Sequence, residues 1–157
     1  MDVDAMKQYL RETFAGTRVD EAGGDMFFTY DPDGDLPADR WLPFATIVTG
    51  DGYDTVSDLS HPGAYRLNMG VPKQTYVAHL GTAPTDRDAE GILVTDAGYA
   101  ARDQLMPHPV YANQHWISVI NPGAATLATT RHLLAAAYDF AVRKHDNHRT
   151  RESRERR

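Results

Sequence analysis

An apolar stripe near the end of the chain constrains the fold more than any other feature. Leu127, Thr130, Leu133, Leu134, Ala137, Tyr138, Ala141 and Val142 recur at spacings of three and four. That spacing predicts a helix from about Thr126 to about Lys144 with one continuous inner face. A face of that length has to be covered by another layer. The segments before it are short and of strand type. Asp25–Asp31 and Phe44–Thr49 are rich in aromatic and β-branched residues. Tyr65–Val71 sets Tyr65, Leu67 and Met69 on one face and Arg66 and Asn68 on the other. Trp116–Ile120 alternates in the same way until Asn121-Pro122-Gly123 stops it. Strands and helices do not alternate regularly, so the pattern predicts an α+β domain: an antiparallel sheet packed with an N-terminal helix and a long C-terminal helix.

The N-terminal helix follows from Val3, Met6, Leu10 and Phe14, with Asp2 or Asp4 as its cap and Gly16 as its stop. Asp31-Pro32-Asp33-Gly34-Asp35 is a turn, which makes the first two strands an antiparallel hairpin with a long loop. Pro72 opens a short helix whose inner face is Tyr76, Val77 and Leu80, ended by Gly81. Residues 82–91 read as an exposed loop. Asp96–Leu105 has room for a helical turn or two, although Gly98 weakens it. The boundaries are one domain over residues 1–145 and a basic polar tail over 146–157.

Composition then excludes several classes. At 41 % hydrophobic and 24 % charged residues, the chain has the composition of an ordinary globular domain rather than a disordered one. No window approaches the apolar length of a membrane span, and the acidic start Met1-Asp2-Val3-Asp4 does not resemble a secretory leader. The expectation is a cytoplasmic protein without membrane attachment. With no cysteine there is no disulfide and no thiolate chemistry. Residues 1–142 hold nine Lys and Arg against nineteen Asp and Glu, whereas residues 143–157 hold seven against three. A basic end of that kind suits a solvated helix terminus. Nucleic-acid binding through it is the less favoured alternative, because the acidic body repels phosphate.

Phosphate loops, zinc-protease helices and nucleophile elbows are absent from the sequence. Asp31, Asp33 and Asp35 begin like a calcium loop, but Leu36 and Leu42 stand where that loop needs Gly and Glu. One segment is dense in functional groups: Pro107-His108-Pro109-Val110-Tyr111-Ala112-Asn113-Gln114-His115-Trp116. Two imidazoles, a phenol, two amides and an indole precede a strand there, as in a small-molecule pocket. The alternative is a structural cluster in which His and Asn satisfy buried Tyr and Trp groups. His108 and His115 lack a third ligand at metal spacing, so no metal and no cofactor are expected. If Tyr65–Val71 and Trp116–Ile120 are neighbours, one sheet face gathers Arg66, Asn68, Trp116 and Ser118. The ligand-site candidates are therefore Arg66, Asn68, His108, Tyr111, His115 and Trp116, with Arg66 as an anion anchor.

Arg66-Leu67-Asn68-Met69-Gly70-Val71, Leu105-Met106-Pro107-His108-Pro109-Val110-Tyr111 and Trp116-Ile117-Ser118-Val119-Ile120-Asn121-Pro122-Gly123 resemble an uncharacterised bacterial family of domains of unknown function. More distantly, Gln114–Val119 followed by a helix resembles the end of the MmcQ/YjbR-like fold, a small antiparallel sheet packed with helices. Leu67-Asn68-Met69 stands where that fold carries a lysine-bearing strand. Neither likeness implies an activity. The functional expectation is a small-molecule- or protein-binding module without established catalysis. The runner-up is a small hydrolase-like enzyme using a histidine of His108–His115.

Overall fold

A computed structural model describes residues 1–156. Helix α1 covers Val3–Thr13, and Asp2 caps it by accepting a hydrogen bond from the Ala5 amide at 2.8 Å. Strands β1 (Thr17–Ala22), β2 (Asp25–Tyr30) and β3 (Ala45–Val48) follow, then β4 (Arg66–Gly70) and helix α2 (Lys73–Leu80). Strand β5 (Leu105–Pro107), strand β6 (Trp116–Ile120) and helix α3 (Leu127–Glu155) complete the chain. The order across the sheet is β1-β2-β3-β4-β6-β5, and each of these neighbouring pairs is antiparallel. The fold is α+β, a six-stranded antiparallel sheet with an N-terminal and a long C-terminal helix packed on one face.

Register sorts the side chains into two faces. Met26, Ile47, Leu67 and Val119 form one cross-strand row, and Phe28, Ala45, Met69 and Ile117 form the next. Both rows are buried against Met6, Leu10 and Phe14 of α1 and Leu133, Leu134 and Ala137 of α3. That is the main core. The opposite face carries Phe27, Thr46, Asn68, Ser118 and Met106 in one row and Val48, Arg66 and Ile120 in the next. It is covered by loops, and Val48, Leu59, Met106 and Ile120 make a second, smaller apolar cluster there.

Several expectations need correction. Strand β1 was not foreseen, although Gly23 and Gly24, both at positive φ, close the β1–β2 hairpin in the manner of a two-residue Gly-Gly turn. Asp96–Leu105 is not helical; the chain there runs as turns into β5, whose three residues are too few to show an alternation. On α2, Tyr76 is buried but Val77 is exposed, so the inner face is narrower than the sequence implies. Helix α3 does not stop near Lys144 but continues to Glu155. Its added turns are held from outside by Arg149, which bonds Asp35 and approaches Asp33 at 3.7 Å, and along the helix by His148, 3.0 Å from Glu152. Val142 is half-buried and stands outside the core stripe.

The start of α3 is capped from a distance. Thr126 makes no capping bond of its own. Instead Asp103, at φ 51°, accepts hydrogen bonds from the Gly123, Ala125 and Thr126 amides and from the Thr126 hydroxyl at 2.6–3.1 Å. Those four donors, with the Thr126 hydroxyl the strongest, hold its carboxyl down to about 2.

Candidate functional site

Strands β4 and β6 are neighbours, so the alternation argument places its residues together. Asn68 faces Ser118 and Gly70 faces Trp116 across the ladder. The loop-covered face opens into a cleft of about 520 Å³ lined by Thr46, Arg66, Asn68, His108, Tyr111 and Trp116, together with Tyr53 and Asp54 of the β3–β4 loop. Five of the six sequence candidates meet there. His115 does not. It precedes β6, closes a 3-10 turn at φ 69°, and its ring packs edge-on to Tyr76 at 5.6 Å.

The floor of the cleft is a closed polar network. Arg66 is 2 % exposed, and its guanidinium grips Asp54 with two bonds of 3.2 and 3.1 Å. Its remaining bonds go to the Ser57 hydroxyl at 2.9 Å and to Asn68 Oδ1 at 3.0 Å. Ser118 donates to the same Asn68 oxygen at 2.6 Å, and Asn68 donates to Thr46 at 2.9 Å. Four of the five guanidinium N–H groups are thereby used. Arg66, expected as an anion anchor, thus has its charge neutralised in place by Asp54, a carboxylate that no sequence pattern marks. Asp54 lies in the loop between β3 and β4, and nothing in its own neighbourhood marks it as an arginine partner. Thr46 was legible, because alternation along Phe44–Thr49 sets it opposite Ile47.

His108 sits above this floor, 6 % exposed. Its Nδ1 accepts hydrogen bonds from the Val110 and Tyr111 amides at 3.0 and 3.1 Å. Burial, helped by the Arg66 charge, pushes its pKa down to about 3. The ring is therefore neutral at physiological pH. Because Nδ1 must accept twice, the single proton resides on Nε2. Nε2–H has no acceptor among the described residues, and the residue lines the cleft. Such an imidazole donates a hydrogen bond but has no free lone pair for a substrate proton, which removes His108 as the base of a hydrolase-like mechanism.

Aromatic rings form the walls. His108 lies 5.0 Å from the Tyr111 ring and 6.3 Å from that of Trp116. The indole lies flat against the backbone of Gly70: a Cβ there would come within 2.8 Å of Trp116 Cε2 and Cζ2. Tyr53, Tyr111 and Leu42 stand exposed at the mouth, at 63, 49 and 71 %. Large apolar side chains in that state, gathered round one opening, mark a surface made for contact.

Two other expectations bear on function. Among the described residues no three His, Asp or Glu side chains are grouped to hold a metal ion. No helix among them is long and apolar enough to cross a membrane. The chain belongs to a family of unknown function, DUF6194, which matches residues 1–151 and so takes in the whole sheet, α1, α2 and all but the last turn of α3. No curated protein and no solved structure matches it.

Proposed function

We propose that this member of a family of unknown function is a binding module for a small, flat, uncharged molecule that carries a hydrogen-bond acceptor. The carrying observation is the Nε2–H of His108, a neutral donor with no acceptor among the described residues, on a side chain that lines a cleft walled by Trp116 and Tyr111. A ligand acceptor would take that donor in place of solvent, a net gain of ~0.5–1.5 kcal/mol. The ion pair beneath is satisfied and rigid, so it shapes the floor without demanding charge from the ligand. The volume suits a small molecule, within the ~300–1,000 Å³ typical of such pockets.

Benzamide, with a planar ring and a carbonyl acceptor, is the probe, and toluene is the control lacking the acceptor. Binding is followed by amide chemical shifts of Val110 and Tyr111. His108→Asn is the informative variant, since Asn Oδ1 replaces Nδ1 as acceptor for the two amides while Nε2–H disappears. Benzamide should bind more tightly than toluene and lose about tenfold in His108→Asn, the size of one hydrogen bond in a dry site. Equal affinity for both probes, or undiminished benzamide binding by a stably folded His108→Asn, refutes the reading.

A further inference from the structure

A second cleft, of about 350 Å³, lies on the other side of Trp116 and is lined by Tyr30, Arg40, Leu42, Phe140, Lys144 and His145 among others. No carboxylate lines it. That is unexpected in a chain with twenty-two Asp and Glu. Nor does either cation in it form an ion pair with a described residue. Arg40 Nε is buried and has no hydrogen-bond partner. Lys144 belongs to an exposed stretch of α3, yet its ammonium is folded back over the Phe140 ring at 4.1 Å. Loss of hydration there lowers its pKa from the ordinary lysine value. The imidazole of His145 packs edge-on to Tyr30 at 5.2 Å.

The carboxylates of the neighbourhood are otherwise engaged or aside. Asp33 and Asp35 are held by Arg149, one turn further along α3. Asp33 and Asp146 come near enough to raise the Tyr30 pKa, behind the larger effect of burial, but neither lines the cleft. What remains is a concave surface lined by two cations without a carboxylate partner, Arg40 and Lys144, with Trp116, Leu42 and Phe140 beside them.

From this arrangement we infer that the Arg40–Lys144 cleft binds a small organic oxyanion, a carboxylate or phosphate group borne on an apolar body. An oxyanion accepts from the terminal N–H groups of Arg40, which bond no described residue and which, unlike the buried Nε, remain open to solvent. Lys144 adds a point charge from the facing helix, and the apolar body rests on the indole and phenyl rings. The site does not depend on the His108 cleft, although Leu42, Pro43, Gln114 and Trp116 border both.

Benzoate and phenyl phosphate, titrated into the full chain, are the probes, and benzyl alcohol is the uncharged control. Amide shifts at Arg40, Gly70, Lys144 and His145 report this cleft; those at Tyr53, Asp54 and Val110 report the other. Saturable shifts in the first set with at least one oxyanion are expected, weakening as salt rises. The tighter of the two anions identifies the headgroup. Arg40→Gln and Lys144→Gln should each weaken binding by about tenfold while melting with the parent, since neither side chain supports the fold through an ion pair. No saturable shift with either anion, an equal response to benzyl alcohol, or full affinity in folded Arg40→Gln and Lys144→Gln overturns the inference.

Discussion

Replacing Arg66 by methionine tests whether its charge belongs to the fold or to a ligand. Methionine keeps much of the apolar stem but removes the guanidinium, stranding Asp54 with a side chain only 5 % exposed. Breaking one partner out of a buried ion pair costs ~3–5 kcal/mol, most of it the burial of the remaining charge. A chain of this length loses ~2–4 °C of melting temperature per kcal/mol, so Arg66→Met should melt roughly 6–20 °C below the parent. Replacing both partners, Arg66→Met with Asp54→Leu, leaves no charge buried and should recover most of the loss. Thermal and urea unfolding followed by circular dichroism measure all three variants, the first giving the melting temperatures and the second the free energies of the double-mutant cycle. The reasoning fails if Arg66→Met melts within about 2 °C of the parent. The same holds if the double variant is as unstable as the sum of the two single ones.

Asp103 gives a pH signature. Its folded pKa, about 2, lies below the ordinary carboxylate value of 3.8. Its contribution is therefore complete above that ordinary value and is lost as pH falls toward the folded one. Asp103→Asn should be less stable than the parent at neutral pH, and the urea midpoints should converge between about pH 4 and about pH 2; a gap constant across that range refutes the cap. Leu134→Ala opens a cavity where α3 meets the sheet, at a residue fully buried in the main core, and should cost ~2–5 kcal/mol in the same assay. An unchanged midpoint would remove α3 from the core.

Side chains that bury against a whole layer were legible in the sequence. The α3 stripe, strand β6 and the antiparallel β2–β3 pairing all rest on periodicity, which burial enforces residue by residue. Alternation also carried Arg66, Asn68 and Trp116 to one cleft, because a pleated strand leaves no choice of face. His115 failed because the positive φ that ends its 3-10 turn lies outside any strand register. Asp54 and Asp103 failed for a different reason. Each acts from a loop on a partner twelve or more residues away, and loop closure leaves no periodic trace. Even the end of α3 follows this rule, since the apolar stripe fades near Ala141 while ion pairs to a distant turn sustain the remaining helix.

The carboxylates that escaped sequence reading share a logic that bears on both clefts. Asp54 neutralises Arg66, Asp103 caps α3, Asp25 accepts from the Thr49 amide and hydroxyl, and Asp35 holds Arg149. Much of the acidity that makes the chain −6 overall is thus committed to backbone amides and to particular cations. Among the described residues most Lys and Arg pair with no carboxylate, and what sets Arg40 and Lys144 apart is that both line one cavity, where the Arg40 Nε has no hydrogen-bond partner. The His108 donor is the corresponding case among neutral groups, on a side chain that lines the other cavity. Trp116 separates the two, pressed onto Gly70 closely enough that no side chain fits beneath it. A wall so fixed divides the Arg40–Lys144 cleft from the His108 cleft, so Arg40→Gln should leave benzamide binding intact and His108→Asn should leave oxyanion binding intact, each read from the amide shifts of its own cleft.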